Sequence, residues 1–154
     1  MTKLPRGPEL VALALVAAMG GLAGSAARGL TSAAFLAAGG AEWGSRLAVN
    51  VCGAFLAGVV VARLRVPESA DPLHHRSLRR RRREHLLITG FLGGFTTISG
   101  FAWDTVVLSQ GAGAAPEPGQ AASLHLAMVL VGNGVVGIAA AAAGLALGRR
   151  TLRA

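Results

Sequence analysis

Charge disappears from four long stretches of this chain: Leu10 to Ala27, Leu47 to Ala62, Leu86 to Trp103 and Gly119 to Gly148. Each is close to or above the roughly 18 residues that can cross a bilayer as a helix. The pattern predicts a single transmembrane domain over residues 1–154, with helices at about 9–35, 43–64, 85–109 and 121–148. The first helix runs past Arg28 towards Phe35, and Trp43 suits the interfacial start of the second. Gly39, Gly40 and Glu42 fall in the short connection between them. A basic, solvated loop is expected at 66–85, where two prolines and the run Arg79 to Arg83 exclude hydrocarbon. Pro116 and Pro118 mark a further loop at 111–120.

Composition strengthens this picture. Hydrophobic residues make up 53% of the chain and charged residues 14%, against roughly a quarter charged in ordinary soluble proteins. The net charge of +8 would suggest nucleic acid in a soluble domain, but here the basic residues sit between apolar runs, so the implied partner is a lipid bilayer and not nucleic acid. There is no tyrosine for base stacking. The single cysteine, Cys52, excludes an intramolecular disulfide and reads as a buried small hydrophobe. Lys3 and Arg6 before an apolar run imitate a secretory signal, but Arg28 and the later spans argue for an inserted helix. All but Arg28 and Arg46 of the fifteen basic residues lie in the two termini and the middle loop. Positive loops stay inside, so both termini are expected in the cytoplasm of a multi-pass cell (plasma) membrane protein.

Few motifs carry chemistry. Gly132 to Gly137 reads GNGVVG, a literal dinucleotide-binding spacing, but no strand precedes it, so it reads as a packing face, with Gly137 and Gly144 on one side. Gly20/Gly24 and Gly90/Gly94 are GxxxG pairs suited to close helix packing. Catalytic triads, paired carboxylates and metal-ligand spacings are missing from the sequence, which argues against an enzyme. Asn50 should face the bundle or a water-filled path, as interhelical glue or as a lining group, and Asn133 poses the same choice with a lean towards glue. Arg28 is either a snorkelling anchor or part of an electrostatic gate. Asp104 and Trp103 read as an interfacial terminus and His125 as an interfacial residue. The third span stands out, because four glycines and three hydroxyls between Gly90 and Phe101 weaken a helix. A broken helix at that depth exposes free carbonyl and N–H groups, as in ion sites.

That segment, GFLGGFTTISGF, resembles the GFxGGxTTFSTF signature of the Fluc fluoride channels, also called the CrcB family. Asn50 to Gly58 resembles that family's NxxGxFxxG, and Gly20 to Arg28 its GGxxGaxxR. The resemblance implies an all-α membrane protein of four transmembrane helices with a broken third helix, assembled as an antiparallel dimer with two fluoride pores and one central sodium ion. On that pattern Asn50 and Phe101 match pore residues, Ile98 stands at the other pore phenylalanine, Ser99 and Thr97 are adjacent hydroxyls, and Arg28 matches a first-helix arginine in a gating or structural role. Gly93 and Thr96 would give backbone carbonyls to sodium.

The chain departs from the pattern at several points. Ile98 keeps bulk but loses a ring edge, Gly100 loses a hydroxyl, and Arg46 stands at a usual threonine. A fourth-helix alignment puts Asn133 at a serine position and Val129 at a tyrosine position. The function implied is passive fluoride efflux. The alternatives are a non-conducting structural partner of such a channel and a small four-helix proton-coupled exporter, the latter lacking a carboxylate between Leu10 and Ala27. A charge bias this one-sided suits one orientation, which implies a heterodimer with a sibling subunit of opposite orientation.

Overall fold

The computed structural model describes residues 7–64, 78–109 and 120–151. Two long helices open the chain: α1 (Gly7–Ala37) and α2 (Glu42–Leu64). Between them the chain turns at Gly39, whose φ of 83° is a left-handed conformation that glycine adopts without strain. Helix α3 runs on without interruption through Leu78–Glu84, a π-helical stretch His85–Leu92, and Gly93–Phe95. Thr96 is extended (φ −78°, ψ 156°), and α4 starts at Ile98 and ends at Ser109. Helix α5 is built from Gln120–Val131, a π-helical turn Gly132–Val136, and Gly137–Arg150.

Four helical spans are long and apolar enough to cross a membrane: Gly7–Ala37, Glu42–Leu64, Arg80–Val107 and Leu124–Arg150. Their outward surfaces carry Met19, Leu22, Leu30 and Ile138, as expected when lipid is the solvent.

Glycines set the packing. Added Cβ atoms at Gly20 and Gly24 would collide with the backbone of Leu86 and Phe91, and at Gly90 and Gly94 with the backbone of Ala17 and Gly21. The two GxxxG pairs therefore lock α1 against α3, where dispersion between close backbones replaces the missing hydrophobic drive. Gly58 and Gly144 do the same for α2 against α5, each abutting the other helix's backbone. Gly137, expected to share that face, is buried but approaches only the Gly132 carbonyl of its own helix, at 3.8 Å. A serine pair, Ser45 donating to Ser32 at 2.9 Å, ties α2 to α1.

Two expectations are corrected here. Residues 78–85, read as loop, are helical, because arginine is a good helix former and Arg80 pairs with Glu84 one turn on. Arg80 also donates to the Leu64 carbonyl, satisfying the C-terminal end of α2. Cys52 is exposed rather than buried, because it lies on the side of α2 turned away from its neighbours.

Candidate functional site

The site grows out of the interruption after Phe95. Thr97 N–H donates to Asn50 Oδ1 at 2.9 Å, and Gly100 N–H donates to Thr97 Oγ1 at 3.0 Å. In a continuous helix those donors would serve the carbonyls of Gly93 and Thr96. Side chains have thus diverted both donors, and the two carbonyls are released from the ladder. Thr96 O receives only a long contact, 3.5 Å, from Arg28 Nη1, and Ser25 Oγ reaches the neighbouring Gly94 carbonyl at 3.4 Å. The Thr96 hydroxyl turns back to Leu92 O at 2.8 Å, which anchors the last turn before the interruption.

Asn50 links three helices. Its Nδ2 donates to Thr97 O at 3.2 Å and to Asn133 Oδ1 at 2.8 Å. Asn133 Nδ2 in turn donates to Val129 O at 2.9 Å within its own helix. Asn133 lies in the π-helical turn of α5, where the widened backbone re-aims a side chain. Among the described residues no buried side-chain N or O atom lacks a hydrogen-bond partner.

These residues line an open groove of about 570 Å³, whose walls include Asn50, Gly93, Thr96, Thr97, Ile98, Phe101 and Asn133. Gly53, Ala54 and Ala57 give α2 a smooth wall alongside. Ile98 is 85% exposed at its rim. Ser99 touches the lining through Thr97, hydroxyl to hydroxyl at 3.2 Å.

One turn before Asn50 lies an ion pair. Arg46 Nε is 2.9 Å from both oxygens of Asp104, and its Nη2 reaches Asp104 at 2.6 Å and Glu42 at 3.2 Å. Asp104 is 4% exposed and lies in the middle of α4, so it is a buried side chain rather than the helix terminus expected. A buried carboxylate needs a cation, and this one has found Arg46. Trp103 does lie outward, and His125 packs its ring on Trp43 with centroids 4.9 Å apart.

A family profile described as CrcB-like protein, Camphor Resistance (CrcB), matches residues 15–145. The chain belongs to the CrcB family. Among its relatives, the fluoride-specific ion channel FluC of Agrobacterium fabrum is 40% identical over 142 residues, covering 91% of this chain and 98% of the relative. The protein of the same name from Paracoccus denitrificans is 39% identical over 139 residues, covering 88% and 93%. Fluoride-specific ion channel FluC 1 of Natronomonas pharaonis is 42% identical over 102 residues, covering 64% and 71%. No solved structure matches this chain.

Within this CrcB-family chain the expected residues fall on one groove, with Arg28 and Ser99 each one hydrogen bond from it. The Arg46–Asp104 pair escaped the sequence reading. Its signal was weak, since Arg46 already has an acidic neighbour one turn away in Glu42 and nothing in the sequence pointed across to Asp104. The direct bond between Asn50 and Asn133 was also missed, because two lone amides on different helices carry no mark of their pairing.

Proposed function

We propose that the chain is a subunit of a fluoride-selective channel that lets fluoride leave the cytoplasm passively, and not an enzyme. The observation that carries this is the groove at Asn50, where amide, hydroxyl and backbone groups converge without a free positive charge, in a chain whose relatives are named fluoride-specific ion channels. Fluoride is small and strongly hydrated, so a pore must replace its water with donors in a narrow path, and must bind weakly enough to release. Asn50 Nδ2–H, now spent on the Asn133 oxygen, is the donor that an arriving anion takes over in exchange for a charge-assisted bond. The hydroxyls of Thr97 and Ser99 and the ring edge of Phe101 extend the donor set, while Ile98 offers bulk alone.

On this reading the interruption at Thr96–Thr97 is a functional break in the third membrane helix. The released carbonyls of Gly93 and Thr96 are hard oxygen donors suited to a sodium ion, which when bound supplies a fixed positive charge beside the anion path. The part of this chain is to keep those carbonyls free of helical donors, through Asn50 and the Thr97 hydroxyl, and Arg28 steadies Thr96 from α1.

The working unit is an antiparallel dimer in the cell membrane, with this chain's termini cytoplasmic and a sibling subunit inserted the other way, because the basic residues lie almost wholly on the side of the termini. The exporter alternative needs a membrane carboxylate free to exchange protons, and Asp104 is engaged by Arg46. Fluoride efflux from liposomes, followed with a fluoride electrode, tests the proposal. Efflux no faster than from empty vesicles, with sibling present, contradicts it.

A further inference from the structure

Arg46 and Gly100 depart from the motif pattern on different helices, yet they meet. A Cβ on Gly100 would lie 2.8 Å from Arg46 Cδ and 2.9 Å from Thr97 Cγ2. A serine or threonine at 100 would therefore force the Arg46 stem and the Thr97 side chain to move. The arginine stem fills the space that the missing side chain leaves, and its guanidinium continues past Gly100 to Asp104, one turn further along α4. Arg46 also lies one turn before Asn50 on α2. The pair thus bridges α2 and α4 next to the groove's lining residues Asn50, Thr97 and Phe101, on the side towards the α1–α2 connection, without itself lining the groove.

Charge decides what such a bridge does to an anion. One guanidinium faces two carboxylates, Asp104 and Glu42, so the cluster carries an excess negative charge. An anion funnel would leave the arginine unpaired. Here its charge is cancelled by buried Asp104, and exposed Glu42 adds only a screened negative charge, so an anion moving outward from Asn50 meets a filled space with no cation free to bind it. We infer that Arg46 and Asp104 form a latch that closes this side of the groove and limits fluoride passage along it, with Glu42 holding Arg46 in the closed position. The inference rests on the fluoride-channel reading of the groove.

The test uses the channel as assembled in vesicles, with its sibling subunit. Arg46→Thr combined with Asp104→Asn empties the filled space and removes both members of the buried pair, so neither charge is left buried alone, while exposed Glu42 keeps its charge. Fluoride efflux should rise severalfold. In a Cys52→Ala background, a cysteine substituted at Thr97 should react faster with a charged, impermeant thiol reagent once the latch is removed. Should the double variant not fold, Asp104→Asn alone, which keeps the shape of the pair and frees its cation from the buried carboxylate, carries the same expectation. A folded variant with unchanged or slower efflux and unchanged labelling would overturn the latch and leave the pair as a structural tie. Faster labelling in a protein that passes no fluoride with or without the latch would uphold the barrier and reject the fluoride reading itself.

Discussion

Asn50 commits both polar atoms of its amide to other helices, holding Thr97 by backbone N–H and carbonyl and Asn133 by its side chain. Asn133 holds only Asn50 and its own helix. Asn50→Ala therefore strands Thr97 N–H as well as removing the donor, a loss of about 1–3 kcal/mol for each buried group left unpaired. Its fluoride flux should fall by an order of magnitude or more, and that of Asn133→Ala by less. Equal, small effects in a liposome assay would reduce both residues to interhelical glue. Ile98→Phe should fold and keep its flux, because the side chain points out of the subunit at the groove rim and displaces no neighbour. A folded protein that loses conduction would show a path built around isoleucine. At this scale the sequence singled out Asn50, Thr97 and Phe101 through two separate motifs, and the fold brings all three to one groove. The sequence was least legible at Asp104, because its adjacency to Trp103 suggests an interface, while its true partner, Arg46, lies 58 residues away.

Helix positions followed from the absence of charge, since the bilayer demands little more than an uncharged run of sufficient length. Helix contacts followed in part. The spacing of Gly20/Gly24 and Gly90/Gly94 announced a close crossing, though not that the two pairs face each other. Gly24→Ala should lower the thermal stability of the detergent-solubilised protein by about 1–3 kcal/mol or more, because its Cβ meets the Phe91 backbone, which has no rotamer to yield. Gly29→Ala, with nothing within 4 Å, should be neutral or stabilising by up to about 1 kcal/mol through helix propensity. Similar unfolding temperatures for the two variants would contradict the α1–α3 crossing. The π-helical stretches at His85–Leu92 and Gly132–Val136 had no sequence mark, because a widened turn depends on packing against neighbouring helices rather than on local propensity. The helical arginine run was misread for the opposite reason: its charge spoke for solvent exposure, and solvent exposure does not forbid helix.

At the scale of the whole molecule, charge and pairing pull in different directions. Every basic residue except Arg28 and Arg46 lies before residue 7, between 63 and 83 or after 148, a bias that favours one orientation, while an antiparallel assembly requires two. A cysteine placed in the 67–77 segment should resist impermeant reagents in intact cells and label only after lysis. The chain purified alone should give weak fluoride flux, and robust flux should return when a sibling of opposite or weaker charge bias is present; robust flux from the chain alone would mean a homodimer. The central claim is selectivity for fluoride, and it is tested most directly by loading vesicles that carry the assembled protein with equal gradients of fluoride and chloride and following both anions. The account predicts that fluoride leaves while chloride stays at the level of empty vesicles. Equal efflux of the two anions, or fluoride efflux no faster than from empty vesicles, would contradict it.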